Sequence, residues 1–135
     1  MTDPKRYFAG DASTRATGGE FVSWDGLDPI EMVPGLFFQP VLGENVMVNF
    51  VRFEPHTEAP LHWHEEEQIS FVVDGEFEFE VGGEKRTVRR GEAVVIPPNV
   101  PHAARTFDTG CLEVDVFHPP RRGVLDAMGR SSPDG

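Results

Sequence analysis

The clearest pattern in the chain lies between residues 76 and 81. Glu76-Phe77-Glu78-Phe79-Glu80-Val81 alternates strictly, the period of a strand with one face buried and one in water. It predicts Phe77, Phe79 and Val81 inward and the three glutamates outward. Asp74-Gly75 and Gly82-Gly83 flank this stretch, and both pairs suit tight hairpin turns. The segment from Gln68 to Asp74 reads as the strand before it. From Val46 to Phe53 both parities are largely apolar (Val46, Val48, Phe50 and Met47, Val51, Phe53), which predicts a strand buried on both faces. Ala93 to Ile96 is a short strand stopped by Pro97-Pro98. Cys111 to Phe117 alternates, with Leu112, Val114 and Val116 on one face and Glu113, Asp115 and Phe117 on the other. A helix is suggested only at Gly123 to Met128, about one turn. Short strands separated by turn residues, without a repeat or a linker, predict an all-β sandwich or barrel.

The chain has 135 residues, enough for one domain with one core. Residues 1–20 are polar and rich in small side chains and read as a flexible N-terminal arm. Residues 21–125 form the predicted barrel. Residues 126–135 form a C-terminal tail, frayed from Arg130 onward. Charge narrows the function. Twelve Lys and Arg against 23 Asp and Glu leave a net charge of −11, which repels phosphate backbones and anionic lipid, so neither a nucleic-acid nor a membrane partner is expected. The single cysteine, Cys111, excludes an intrachain disulfide framework and reads as a small buried hydrophobe. No apolar run approaches the roughly 20 residues of a bilayer span, and the charged start lacks the apolar core of a signal peptide. The expected location is the cytoplasm.

Candidate chemistry rests on the histidines at 56, 62, 64, 102 and 118. His62 and His64 are two apart, so on a strand both imidazoles share a face and converge on one ion. Gln68 follows beyond Glu65-Glu66-Glu67, read as a solvated bend, with Glu67 as a rival ligand. His102 follows the rigid turn Pro97-Pro98-Asn99-Val100-Pro101. A curled sheet is needed to bring these stretches together. His56 and His118, beside prolines, are read as non-ligands. Trp63 points away from the histidine face and reads as a packing residue. The acidic bend disfavours an anionic substrate near the mouth; Arg52, Arg105 and Arg121 are the candidates to offset it, Arg105 as a substrate-binding residue.

The segments His62-Trp-His64-x3-Gln68-x6-Gly75 and Gly91-x5-Pro97-x-Asn99-x2-His102 resemble the two signature motifs of the cupin superfamily. The resemblance spans roughly residues 40 to 121. It implies a double-stranded β-helix, the cupin jelly roll, with one divalent metal ion in its mouth, held by His62, His64, Gln68 and His102. Zn, Ni, Fe, Mn and Co all accept such donors. Three departures stand out: Gln68 replaces the usual Glu, His56 replaces a glycine, and Thr106 replaces the closing Asn. Asn99, where glycine is common, tolerates the left-handed conformation.

A narrower resemblance is carried by Asp115-Val-Phe117-His-Pro-Pro-Arg121, which is similar to the closing stretch of small pectin- and alginate-degradation cupins that ketonise 4,5-unsaturated uronates. It implies catalytic roles for Asp115 and Arg121, with Phe117 lining the substrate side and Ser70 where those proteins carry a longer polar residue. The residues suit these roles: a carboxyl moves a proton, a guanidinium grips a carboxylate, and a phenyl ring stacks. The leading expectation is therefore a metal-dependent enzyme acting on a small polar molecule, a sugar-acid tautomerase or isomerase. The alternatives are an Fe(II)-dependent cupin dioxygenase and a non-catalytic metal or small-molecule binder. The resemblance also implies a homodimer.

Overall fold

The computed structural model describes residues 18–129; most of the predicted arm (1–17) and the end of the tail (130–135) lie outside them. The described residues open with a 3-10 turn, Trp24–Gly26, and continue through nine strands: β1 (Ile30–Val33), β2 (Leu36–Leu42), β3 (Met47–Phe53), β4 (Glu58–His62), β5 (Glu67–Val81), β6 (Glu84–Arg89), β7 (Ala93–Ile96), β8 (His102–Arg105) and β9 (Cys111–His118). A short helix, α1 (Arg122–Ala127), follows. All pairings are antiparallel, in the order β1-β2-β3-β9-β5-β8-β4, with β6 and β7 also bonded to β5. Pairing of β3 with β9 and of β4 with β8 joins distant parts of the chain, and the sheet curls into the predicted jelly roll. Among the described residues no helix is long and apolar enough to cross a membrane.

The central element differs from expectation. Asp74-Gly75 is not a turn, and β5 runs through it for 15 residues. Its first half pairs with β7 and β9 and its second with β6 and β8. Between Val72 and Asp74 the register against β9 slips, so Asp74-Gly75 forms a bulge; the dipeptide serves a hairpin or a bulge equally well. The extra residue inverts the parity of the strand. Gln68, Ser70 and Val72 are buried before it, Phe77 and Phe79 after it, while Ile69, Phe71 and Val73 face outward. Gly75 has φ +75°, and a Cβ there would sit 2.2 Å from the carbonyl oxygen of Gly110. Gly82-Gly83 is the two-residue turn the pattern predicts: both φ values are positive, 57° and 85°, and Val81 pairs with Glu84.

The inward faces of the two halves form the core. Val51, Phe53, Val72, Phe77, Phe79 and Ile96 belong to one buried cluster, and Phe53 meets Phe77 edge-on at 5.5 Å. Met47, Phe117, Val124 and Leu125 form a second cluster under α1. The helix therefore runs through the predicted boundary at 125/126 and plugs one end of the barrel. On β3 only the odd positions are deeply buried; the outer row is half-covered, partly by Trp24 stacked on Phe50 at 4.6 Å. Two motif departures have local explanations. His56 adopts φ 55°, the conformation glycine would take freely, and its turn is held by His56 N donating to Phe107 O at 2.8 Å and Thr57 N donating to Thr106 Oγ1 at 3.1 Å. Asn99 is likewise left-handed, at φ 65°.

Gly75→Ala combines the left-handed strain of a side chain with a clash against backbone that cannot move aside. The expected loss is at least about 2 kcal/mol in urea unfolding; a loss below about 0.5 kcal/mol would show that the bulge is dispensable.

Candidate metal centre

His62 ends β4 and lies directly opposite His102, the first residue of β8. His64 follows in a loop whose carbonyl accepts a 2.8 Å bond from Asn99 N, so the Pro-rich turn before β8 holds the loop after β4. The three rings gather with centroids 4.3 Å (His62–His102), 4.9 Å (His64–His102) and 5.7 Å (His62–His64) apart. One ring nitrogen from each lies within 4.8 Å of the others. Phe79 stacks on His102, and Phe117 meets His64 edge-on, which restricts both rings.

Each imidazole is oriented by the same device. His62 Nδ1 donates to Pro60 O at 2.7 Å, His64 Nδ1 to Glu66 O at 3.0 Å and His102 Nδ1 to Val100 O at 2.8 Å. A proton fixed on Nδ1 leaves Nε2 with a bare lone pair, the form that binds a metal. Burial favours that neutral form: it pushes His102 down to about 4 and also lowers His64, the latter helped by the nearby Arg121 charge. His102 Nε2 is buried with no hydrogen-bond partner among the described residues.

Gln68 completes the set. Its Nε2 donates to Ser70 Oγ at 2.9 Å, and Ser70 Oγ donates to Asp115 Oδ1 at 2.6 Å. That chain turns Gln68 Oε1 toward His64 Nε2, 3.0 Å away. Both are lone-pair atoms when His64 carries its proton on Nδ1, so a cation, not a hydrogen, reconciles them. The donor set thus fits a divalent ion. Glu67, the rival ligand, is exposed on the opposite face of β5.

The other predicted residues divide. Asp115, Phe117 and Arg121 line a cavity of about 260 Å³ together with the four candidate ligands. Ser70 is 1% exposed and does not line it; it joins Gln68 to Asp115 from behind. Arg105 does not reach it: it lies on the outer face, 3.8 Å from Glu58 and 3.6 Å from Glu78, in a ladder across β4, β8 and β5. Arg52 is also outside, over the Phe37 ring and beside Glu54. His56 is exposed 3.5 Å from Asp108, and His118 is exposed at the end of β9.

Two acids escaped the sequence reading. Glu66, expected in a solvated bend, is 6% exposed. Its Oε2 accepts the Arg122 N–H at the start of α1 at 2.8 Å, and its Oε1 lies 3.9 Å from Arg121 Nη1, so it ties the His64 loop to the helix and steadies the guanidinium. Glu113 shares the inward face of β9 with Asp115, is 3% exposed and lines the cavity. Burial, reinforced by the Asp115 charge, pushes its carboxyl well above the usual range. Burial also raises Asp115, against opposing hydrogen bonds from Glu113, Ser70 and Gln68. Burial thus favours the neutral form of Glu113 more strongly than that of Asp115, whose charged form the surrounding hydrogen bonds support. Asn49, fully buried on β3 opposite Asp115, has neither amide atom partnered among the described residues.

The cupin domain family model matches residues 49–114. The pectin degradation protein KdgF of Dickeya dadantii is 30% identical over 83 residues, covering 61% of this chain and 76% of that protein. The solved structure of KdgF from Halomonas sp. superposes with a TM-score of 0.73 at 33% identity, covering 81% of this chain and all of that one. The H2HPP isomerase of Bacillus subtilis is 40% identical over 73 residues, which are 53% of this chain but 30% of that protein. The chain belongs to the cupin family, as a small single-domain member resembling the pectin-degradation cupins.

Two outcomes follow from this geometry. Protein purified without added metal should carry a divalent metal by elemental analysis, and the His62→Ala/His64→Ala variant should not; equal content in both would place the metal elsewhere. The acid pair should show in stability. In metal-stripped protein the unfolded chain loses the Glu113 proton near pH 4.5 while the folded chain keeps it, so wild type should lose stability relative to Glu113→Gln by about 1.4 kcal/mol per pH unit above that point until the folded carboxyl ionises. Below about pH 4.5 the difference between the two proteins should level off and become independent of pH; thermal melts at several pH values measure it.

Proposed function

We propose that this cupin is a metal-dependent tautomerase that moves a proton between oxygen and carbon of a small enol or keto acid. The observation that carries the reading is Asp115: a buried carboxyl on the cavity wall, linked through Ser70 and Gln68 to the candidate ligands and backed by Glu113, whose burial favours the neutral form. One divalent ion held by His62, His64, Gln68 and His102 would act as a Lewis acid toward a substrate oxygen, and the neutral Gln68 in place of a carboxylate would leave more of its charge for that work.

The chain's own groups supply the rest. Arg121, half-shielded and steadied by Glu66, pairs with the substrate carboxylate in two-pronged fashion. Phe117 walls the reacting atoms from water. Asp115 with Glu113 holds one transferable proton. In ketonisation that proton goes to the enol carbon, the enol oxygen gives up its own, and the pair returns to its starting count. Similarity to KdgF supports an unsaturated uronate as one substrate, and the resemblance to an isomerase supports the class of reaction.

Asp115→Asn keeps the shape and the Ser70 contact but cannot deliver a proton. It should lower kcat for ketonisation of unsaturated galacturonate about 100-fold or more, with KM little altered and metal content unchanged. Loss of the substrate's ultraviolet absorbance measures the rate. Equal rates in wild type and variant would remove Asp115 from the chemistry, and oxygen consumption in step with turnover would replace the tautomerase with a dioxygenase.

A further inference from the structure

The cavity has two kinds of lining. The candidate ligands, Asp115, Glu113 and Arg121 supply its polar lining; the remaining side chains are hydrocarbon, with Met32, Val33 and Leu36 from the first two strands, Phe79 from β5 and Val124 from α1 among them. Among the described residues no serine, threonine, tyrosine, asparagine, lysine or tryptophan lines it. The polar side chains that do are held by partners of their own, the imidazoles by carbonyls, Gln68 by Ser70 and Arg121 by Glu66, and the atoms left without one, His102 Nε2 and Glu113 Oε2, belong to the candidate ligand set and the acid pair. The backbone of β2, β3 and β9 along the walls is bonded within the sheet. A polyhydroxylated molecule in this space would leave its hydroxyls without partners away from those few polar groups, and each such group lowers affinity about tenfold.

Size points the same way. An apolar cavity of roughly 150 Å³ accepts benzene, so about 260 Å³ holds a six-membered carbon ring with room for a short oxyacid head. We infer that the preferred substrate is a small amphipathic acid, a 2-oxo acid or its enol, whose oxygens face the histidines and Arg121 and whose body is an unsubstituted ring or branched hydrocarbon against Met32, Val33 and Leu36. The orientation of the acid head rests on the tautomerase reading; the character of the body rests on the cavity walls.

The test uses the full-length, nickel-loaded protein with phenylpyruvate and galacturonate as probes. Calorimetry should give a Kd at least tenfold lower for phenylpyruvate. Met32→Gln and Val33→Thr, which keep side-chain size while adding a polar group near the rim, should each narrow that preference threefold or more. Enzymatic rates then separate the two claims. A higher kcat/KM on unsaturated galacturonate than on enol-phenylpyruvate, or equal affinity for the two probes, overturns the substrate class and leaves the tautomerase standing. A tenfold binding preference with turnover of neither acid supports the substrate class and overturns the reaction. An unchanged preference in both variants overturns the assignment of the body to this wall.

Discussion

A regular strand sends alternate side chains to opposite faces, so β5 could not by itself put both Gln68 and Phe77 inside the barrel. They are nine positions apart, an odd number. The single irregularity at Asp74-Gly75 removes the conflict by inserting one residue between the halves. Upstream the strand contributes Gln68 and Ser70 to the site; downstream it contributes Phe77 and Phe79 to the core and the cavity floor. Without the bulge, one half would turn its apolar row to solvent or its Gln68 amide away from the histidines. The core and the chemistry therefore depend on the same backbone accommodation, which exists because Gly75 allows Gly110 to approach more closely than any side chain would permit.

Around that strand the site is assembled by short-range bonds with long-range consequences. Each histidine is fixed by a carbonyl within two residues of it, so ring orientation is settled locally, while the sheet needs only to bring β4 and β8 side by side. The relay from Gln68 through Ser70 to Asp115 runs across the β5–β9 pairing in the same manner. Amide and acid are then coupled: a change in the charge on Asp115 is felt by the Ser70 hydroxyl and through it by the Gln68 amide that faces His64.

Much of this was legible in the sequence, for identifiable reasons. Parity alone placed Phe77 and Phe79 inward and grouped Asp115 with Phe117, because alternation is a property of each strand regardless of its neighbours; His62 and His64 do meet, but β4 ends at His62 and the loop after it, not strand alternation, turns His64 inward. The Pro-rich turn announced where β8 begins. What parity does not reveal is where an acidic run dips inward, and so Glu66 was taken for solvent-facing although its neighbours Glu65 and Glu67 are indeed exposed. Asp74-Gly75 was read as a hairpin because the dipeptide suits a bulge equally well and only the partner strand decides. Arg105 was chosen for its charge. Its offset of three from His102 already put it on the other face of β8, where Glu58 and Glu78 now hold it. Glu113 was on the right face but carried no motif to mark it.

The attachment of α1 has an architectural consequence. Glu66 fastens the start of this helix to the His64 loop, while Val124 and Leu125 press into the second apolar cluster. The helix is a stopper tethered at the rim. Met128 is the last described residue packed on that cluster, so additions after it need not enter the interior, whereas inserting even one residue between His118 and Arg122 would lengthen the tether, draw the guanidinium from its seat and pull the helix off the cluster at one stroke. Among close relatives, length variation should be tolerated on the far side of the stopper and absent from the tether.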